Sequence, residues 1–448
     1  MKNLDELINL CKRRGFIFPA AEIYGGIRGF YEYGPLGVIL KNKIKNFWLK
    51  EVVFSKDNVY LIESAIIGLR KIYEASGHLE NFYDLLVECK NCHDRFRYDH
   101  LVKGEYGEVK IKNNRPICPL CGGELTEERT FNLMFKTYIG PVEELASEAY
   151  LRPETAQGIF YNFKNILSSM RAKLPFGIAQ IGKSFRNEIT PKNFIFRMRE
   201  FEQMELEFFV KPEEADKWFE VLVEERFNWY LKLGFNQNNL KKHKYSKEEL
   251  AHYSAATVDI YYNFPWGFDE IEGIANRTDY DLSRHSSFTG EKLSYYDENS
   301  ETHITPFVIE PSAGLDRIIF AILWEFFDED EIEGERRVVL RLPNFLAPIE
   351  VAVFPLLSKR EELVIKAKEI YSLLKKNNFL VFYDESGSIG RRYRRQDEIG
   401  TPFCITVDFE TLNNETVTVR YRDTTKQDRL PIEELIDFLK SKINPKLI

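Results

Sequence analysis

The segment from Phe176 to Phe209 constrains this chain more than any other. It reads Phe176-Gly-Ile-Ala-Gln-Ile-Gly-Lys-Ser-Phe-Arg-Asn-Glu188, then Ile189-Thr-Pro-Lys-Asn193, then Phe194-Ile-Phe-Arg-Met-Arg-Glu-Phe-Glu-Gln-Met-Glu-Leu-Glu-Phe-Phe209. Both flanks alternate with period two about a Thr-Pro-Lys-Asn centre, which predicts an antiparallel hairpin. Alternation assigns Gln180, Ser184, Arg186 and Glu188 to one face of the first strand, and Arg197, Arg199, Phe201, Gln203 and Glu205 to one face of the second. Met204, Leu206 and Phe208 take the opposite, buried face. A strand face bearing this many arginines and carboxylates is costly without a ligand, because like charges repel and guanidinium groups need planar partners. A solvated face of surface ion pairs is the plainer alternative.

At 448 residues the chain is long enough for about three structural units. The pattern divides it at Leu342-Pro-Asn-Phe-Leu-Ala-Pro348, where two prolines flank a short linker. Residues 1–345 mix helices with alternating strands and carry two inserts, a cysteine-bearing one at 86–128 and a strongly helical one at 211–250. Residues 349–448 read as a compact α/β unit. Its first strand covers Ile349 to Phe354, and a helix follows over Lys359 to Asn377. Further strands fall at Phe379 to Tyr383, Phe403 to Val407 and Thr416 to Tyr421. In the helix after Gly37, Leu40, Ile44, Phe47, Trp48 and Val52 recur at helical spacing, as a core-packing stripe does.

The net charge of −8 argues against a polybasic binder that works by charge alone, so any nucleic-acid contact must use a local patch. The C-terminal unit is net +1 and the rest net −9, an asymmetry of the right sign for an RNA-facing unit. Arg391-Arg-Tyr-Arg-Arg395 is its sharpest basic feature, set against the simpler reading of a solvated helix face. Lys241-Lys-His-Lys244 reads as a solvated run. The first fourteen residues carry charges throughout, unlike a secretory signal or a transit peptide, and no stretch reaches the roughly 20 apolar residues of a membrane span. A cytoplasmic location is expected. Six cysteines are too few for a disulfide scaffold, and four of them form Cys89-Lys-Asn-Cys92 and Cys118-Pro-Leu-Cys121. Four thiolates complete a tetrahedral zinc shell with no open position, so structural zinc is expected, against four reduced cysteines in a metal-free insert. His93 and His100 read as surface residues.

Phe185-Arg-Asn-Glu188 with Arg197-x-x-x-Phe201 resembles the second signature motif of class II aminoacyl-tRNA synthetases, Tyr33-Gly-Pro-Leu-Gly37 opening a helix resembles the first, and Gly314-Leu-Asp-Arg317 before an apolar helix resembles the third. Within that class the chain is similar to the homodimeric glycyl-tRNA synthetase family over nearly its whole length. That closer likeness rests on Arg152-Pro-Glu-Thr-Ala-Gln-Gly158, Phe201-Glu-Gln-Met-Glu205, Gly273-Ile-Ala-Asn-Arg-Thr-Asp-Tyr-Asp-Leu282, Glu310-Pro-Ser-Ala-Gly314 and Ser388-Ile-Gly-Arg-Arg-Tyr-Arg-Arg-Gln-Asp-Glu-Ile-Gly-Thr-Pro402. The resemblance implies an α/β (α+β) fold: an antiparallel sheet flanked by helices, a zinc-ribbon insert and a C-terminal α/β anticodon-binding domain.

It also implies the roles of particular residues. Arg186 would bind the α-phosphate of ATP and the glycine carboxylate, and Arg197 the γ-phosphate. Phe201 and Arg317 would sandwich adenine, and Glu188 would accept from its amino group. Asn187, Phe196, Met198, Arg199, Glu200, Glu270, Ile271, Gly314, Leu315 and Asp316 complete the expected ATP site. Glu154, Glu205 and Glu310 would hold the glycine ammonium, Ser312 would close the pocket, and Arg97, Phe201, Glu202, Gln203, Met204, Pro311, Ala313 and Gly314 would line it. Glu270 and Glu310 are the candidates for Mg²⁺, and Arg391, Arg392, Tyr393, Arg394 and Arg395 for tRNA. The partners implied are glycine, ATP, tRNA(Gly) and a second copy of the chain. Three acids around one cation should repel when the cation is absent, so at least one pKa should rise. The rival readings are a non-catalytic paralogue and another amino acid specificity on the same scaffold.

Overall fold

In the computed structural model, residues 2–112, 115–251, 254–332 and 334–443 are described. Parts of the expected cysteine insert (113–114) and of the C-terminal unit (444–448) lie outside them. Helix α1 (Leu4–Arg13) leads to α2 (Pro35–Trp48), which starts with Gly34 at its N-cap and Pro35 at the first helical position, where the missing N–H costs nothing. The stripe Leu40, Ile44, Phe47, Trp48 and Val52 is buried within the chain's own core.

A seven-stranded sheet organises the first unit. In chain order its strands are β1 (Val59–Leu61), β2 (Phe176–Phe185), β3 (Glu200–Val210), β4 (Leu240–Lys244), β5 (Ala256–Phe264), β6 (Gly267–Thr278) and β7 (Phe307–Gly314). In space they run β4-β5-β6-β7-β3-β2-β1, with only the β2–β1 pair parallel. One face packs on α2, α3 (Ala215–Leu233) and α4 (Leu315–Phe326) through Met204, Leu206 and Phe208. Helix α4 is apolar almost all round, and Ile318 to Leu323 are fully buried, as expected of a helix enclosed on every side.

The hairpin forms with a longer loop than the alternation predicts. Strand pairing ends at Phe185↔Glu200, so Arg186, Glu188, Arg197 and Arg199 lie on the loop instead of on strand faces. Tertiary bonds outcompete the ladder there. Asn187 N–H donates to the Leu133 carbonyl at 2.7 Å, Arg199 N–H to Gly29 at 2.9 Å, and Asn193 and Phe194 take left-handed backbone conformations. The segment 211–250 is helical only to Leu233, and Lys241-Lys-His-Lys244 is an edge strand, where exposed lysines also discourage pairing with another chain. The proline-flanked linker is no free tether, because Leu342, Leu346 and Ala347 are buried.

The cysteine insert is bracketed by a small sheet of Tyr83–Glu88, Arg95–Arg97 and Arg129–Asn132. The C-terminal unit is a five-stranded sheet in which Val381–Tyr383, Val351–Pro355 and Phe403–Val407 are parallel, and Thr416–Tyr421 and Gln427–Pro431 add antiparallel strands. The last of these was not foreseen. Helices α5 (Glu361–Lys376), α6 (Ile389–Ile399) and α7 (Leu435–Ile443) flank the sheet.

Gly37 shows how tightly the start of α2 is seated. A Cβ there would lie 1.9 Å from the Phe16 carbonyl oxygen, a backbone atom that cannot swing aside. Gly37→Ala should therefore destabilise the chain by about 1–3 kcal/mol, read as a lowered thermal midpoint. An unchanged midpoint would mean that the junction between α1 and α2 is loose.

Candidate active site

The polar face of the sheet carries the site. Strand register aligns Gln180, Glu205, Ser312 and Gly273 in one row across β2, β3, β7 and β6, and Gln203 with Gly314 beside it. Ser312 Oγ donates to Glu205 Oε1 at 2.6 Å and Gln203 Nε2 donates to the same oxygen at 2.7 Å, while Thr155 Oγ1 donates to the other oxygen. Glu310 accepts from Arg277 Nη1 at 2.7 Å, and Arg277 is held by two bonds to Asp281, at 2.8 and 3.1 Å. Glu154 sits 3.4 Å from His78 and accepts from Gln157 at 3.0 Å.

The expected conflict among the carboxylates is present, and it is shared unequally. Burial raises Glu310 to about 8 against the pull of Arg277, with Glu205 and Glu154 adding to the rise. Glu205 is also raised, by burial and then by the charge of Glu154. Glu154 goes the other way: burial opposes its ionisation, but His78, Arg277 and Gln157 together lower its pKa. The pocket thus sets one acid whose pKa is lowered beside two whose pKa values are raised.

Glu154, Glu205, Glu310, Ser312 and Arg277 line a cavity of about 290 Å³ that also touches Tyr245 and Asp259. Gln203, Arg186, Glu270 and Ser312 are shared with an adjoining cavity of about 160 Å³, lined by Glu188, Phe196, Arg197, Met198, Phe201 and Arg317. Arg186 lies 5.2 Å from the Phe201 ring and 5.4 Å from Phe82, and it donates to the Pro153 carbonyl at 3.0 Å. Arg317 rests 4.4 Å over Phe196 and 3.2 Å from the Glu270 carboxylate. The structure therefore joins a carboxylate-rich pocket to an arginine- and aromatic-lined one through a common wall.

Other expected site residues lie outside the two cavities or, like Glu202 and Asp316 on the wall of the smaller one, are engaged by neighbouring side chains. Met204, Ile271, Ala313 and Leu315 belong to the core, and Pro311 is buried in register with Ile274: alternation turns Met204, Pro311 and Ala313 to the helix-packed face, Ile271 sits at a register irregularity in β6, and Leu315 is the first residue of α4. Only their backbone can serve a ligand. Arg199 clamps the loop, donating to the carbonyls of Glu188 at 3.0 Å and Arg28 at 2.5 Å. Glu200 pairs with Lys183, and Glu202 with Lys41 and Lys45. Asp316 accepts from the Glu202 N–H at 2.7 Å and from Tyr33. Arg97 pairs with Asp84 and Asp99 outside both cavities. In α6, Arg392 is buried against the Pro355 and Gly387 carbonyls, so its side chain is not presented to solvent, while part-exposed Tyr393 bonds Thr406. Arg391 is exposed, and Arg394 and Arg395 are half-buried.

Several contributors were not picked out from the sequence. Arg277 and Asp281 lie inside the Gly273–Leu282 motif, and Thr155 and Gln157 inside the Arg152–Gly158 motif, without roles there. In the latter, Arg152 ties Lys183 to Ser64, and Gly158 leaves the space that Ser64 occupies, since a Cβ would fall 1.9 Å from Ser64 Oγ. Glu207 follows Glu205 by two residues and shares its face, a signal available from alternation alone. It is fully buried, neither of its oxygens has a hydrogen-bond partner among the described residues, and burial, then Glu310, raises its pKa well above the ordinary value.

The four cysteine sulfurs lie within 4.8 Å of one another, with Cys89–Cys121 at 3.5 Å and Cys92–Cys118 at 3.6 Å. A tetrahedral shell of Zn–S bonds of about 2.3 Å sets sulfurs about 3.8 Å apart, so the cluster fits zinc.

A sheet whose polar face carries the second motif and the start of the third, with the first motif opening the helix packed on its other face, defines a class II aminoacyl-tRNA synthetase. Residues 135–326 match the family described as tRNA synthetase class II core domain (G, H, P, S and T), and residues 350–442 match the anticodon binding domain family. Among curated proteins, the glycine–tRNA ligase of Caldanaerobacter subterraneus is 51% identical, with 98% of each chain covered. Those of Geobacillus kaustophilus (51% identical, 98% of this chain and 99% of that protein) and Thermobifida fusca (49%, 98% of each) are similarly related. The chain belongs to the glycine–tRNA ligase family.

The raised carboxyls give a pH signature. Folded Glu310 holds a proton that the unfolded chain releases above its ordinary pKa of 4.5, so its contribution is full below that value and is lost as pH rises through about 8, and Glu205 is shifted in the same direction. Thermal midpoints of the ligand-free chain should fall across this window, and Glu310→Gln should make the fall shallower. An equal slope in that variant would remove Glu310 as its source.

Proposed function

We propose that this chain joins glycine to tRNA(Gly) in two steps. Glycine and ATP give glycyl-adenylate and pyrophosphate, and the terminal ribose hydroxyl of the tRNA then takes the glycyl group, with AMP leaving. The observation that carries this reading is the common wall between the cavity of Glu154, Glu205 and Glu310 and the cavity of Arg186, Phe201 and Arg317. Activation is an in-line attack of the glycine carboxylate on the α-phosphorus, so the work is to hold two anions together and neutralise the developing charge. Arg186, at the junction, is placed to bridge the glycine carboxylate and the α-phosphate. Arg197 serves the far phosphate, Phe201 and Arg317 the two faces of adenine, and Glu188 its amino group. No side chain need act as a general acid or base.

The ammonium is met by Glu154, whose pKa is lowered, and by Glu205 and Glu310, whose raised pKa values fall as the cation approaches. Exclusion is steric: Ser312 and Gln203 bond to Glu205 and fill the space that a larger side chain would enter. Of the two Mg²⁺ candidates, Glu270 is the better placed. Its carboxylate is part-exposed beside the phosphate-binding arginines, whereas Glu310 is committed to Arg277. Mg²⁺, when bound, supplies charge neutralisation for the pyrophosphate. Cys89, Cys92, Cys118 and Cys121 would hold zinc in a purely structural role, and Arg391 with its half-buried neighbours would meet the tRNA.

A homodimer and a cytoplasmic location belong to the same reading. The α2 stripe is already used inside the chain, so the support for a dimer comes instead from a part-exposed apolar edge at Leu61, Ile66, Ile67 and Leu69. No described helix is long and apolar enough to cross a membrane. Metal analysis of protein purified without chelators should find one zinc per chain, and sedimentation should give twice the 52.8 kDa chain mass. A metal-free or monomeric protein would remove the corresponding assignment.

The functional test is pyrophosphate exchange into ATP with each of the twenty amino acids, with Mg²⁺ and no tRNA. Exchange with glycine alone is expected, and exchange with none would leave a binding site without its reaction. Ser312→Gly should weaken rejection of alanine by about tenfold or more, the worth of one methyl-sized exclusion. Unchanged alanine rejection would mean that Ser312 is not the wall.

A further inference from the structure

One carboxylate joins the two halves of the molecule. Asp397, in α6, is fully buried. It accepts two bonds from Arg420, at 2.8 and 2.9 Å, and one from Arg337 Nη1 at 3.3 Å. Arg420 belongs to the C-terminal sheet and stacks 4.7 Å over the Tyr393 ring of the same helix. Arg337 belongs to the other unit. It lies on a hairpin, β8 (Phe327–Ile332) and β9 (Glu335–Leu340), that continues directly from α4, the helix whose first turn carries Arg317. Arg337 is itself buried, pairs with Asp330 on the facing strand and donates to the Arg422 carbonyl at 2.7 Å. Arg341 repeats the pattern, bonding Asp328 at 2.7 Å and the Asp423 carbonyl at 3.1 Å. On the adjoining turn of α6, Glu398 pairs with Arg13 and Arg14 at the end of α1.

An apolar seam would have joined the two units more cheaply, since buried ion pairs return little net stability for their desolvation. What bidentate guanidinium–carboxylate bonds add is direction, because a small rotation breaks them. They converge on the helix that also carries exposed Arg391. We infer that Asp397 is a positioning residue for tRNA. By fixing the bearing of α6 against the β8–β9 hairpin, it sets the distance and angle between the tRNA-facing surface of the C-terminal unit and the adenylate site. The inference rests on the proposed function and adds a residue that touches neither glycine nor ATP.

The test compares the unaltered chain with Asp397→Asn, which keeps the shape and removes the charge, and with Glu398→Gln on the same helix. Three quantities are measured: glycine-dependent pyrophosphate exchange, charging of full-length tRNA(Gly), and charging of an RNA hairpin carrying only its acceptor stem. The expected result for Asp397→Asn is a rise of about tenfold in KM for full-length tRNA. The kcat, the exchange rate and the charging of the short hairpin should stay within about twofold, a split that loss of fold or of the active site would not produce. Glu398→Gln should raise the same KM by about threefold, and it stands as the test should Asp397→Asn fail to fold. The inference is overturned if folded variants keep the parental KM for full-length tRNA, or if exchange and short-hairpin charging fall together with it. Absence of glycine-dependent exchange in the unaltered chain would instead overturn the functional reading, and this inference with it.

Discussion

The alternation of β3 is the constraint on which the rest depends. Residues 204, 206 and 208 turn apolar side chains into the layer of α2, α3 and α4, while 203, 205 and 207 turn polar ones to the opposite face. A shift of one residue would bury the carboxylates among the helices and expose the core, so strand register and site geometry are fixed by the same burial. That burial also places Glu205 opposite Ser312 and, beyond it, Gly273, where a Cβ would come within 3.2 Å of Asp259.

Charge is distributed so that the site stays receptive. Arg277 is fully engaged by Asp281 and Glu310, which lets carboxylates gather without a ligand, while the arginines facing the adjoining cavity are held mainly by carbonyls and ring faces. A guanidinium resting on a carbonyl or an aromatic ring is oriented but not neutralised. It can therefore meet phosphate without first breaking a strong ion pair. Arg317 is the exception, since its contact with Glu270 must loosen or be taken over as ligand enters.

Much of this was legible in the sequence. The hairpin strands, the apolar helix after Gly314 and the paired cysteines follow from period, composition and spacing, and the three-acid pocket from the family resemblance. The loop from Arg186 to Arg199 was not, because its alternation continues while distant carbonyls at Leu133, Gly29 and Arg28 capture its donors. Such competition is invisible locally. The same holds for His78 against Glu154, where the two residues come from different segments brought together by the fold. In α6 the sequence shows a basic run, yet Arg392, Gln396 and Ile399 recur at helical spacing on one buried face. Charge masked a period that was there to be read.

The basic run thus divides between two jobs. Arg391 faces solvent, while Arg392 uses its guanidinium to cap backbone carbonyls inside the C-terminal unit and Tyr393 provides the ring on which Arg420 lies. The inward members brace the helix, and Asp397 ties it to the hairpin that extends α4. Since α4 carries Arg317 in its first turn and ends where that hairpin begins, a single helix spans from the arginine-lined cavity to the seam between the units. A synthetase must bring a reactive adenylate and a distant recognition surface to bear on one RNA, and a helix packed on every side is a fit spacer for that separation.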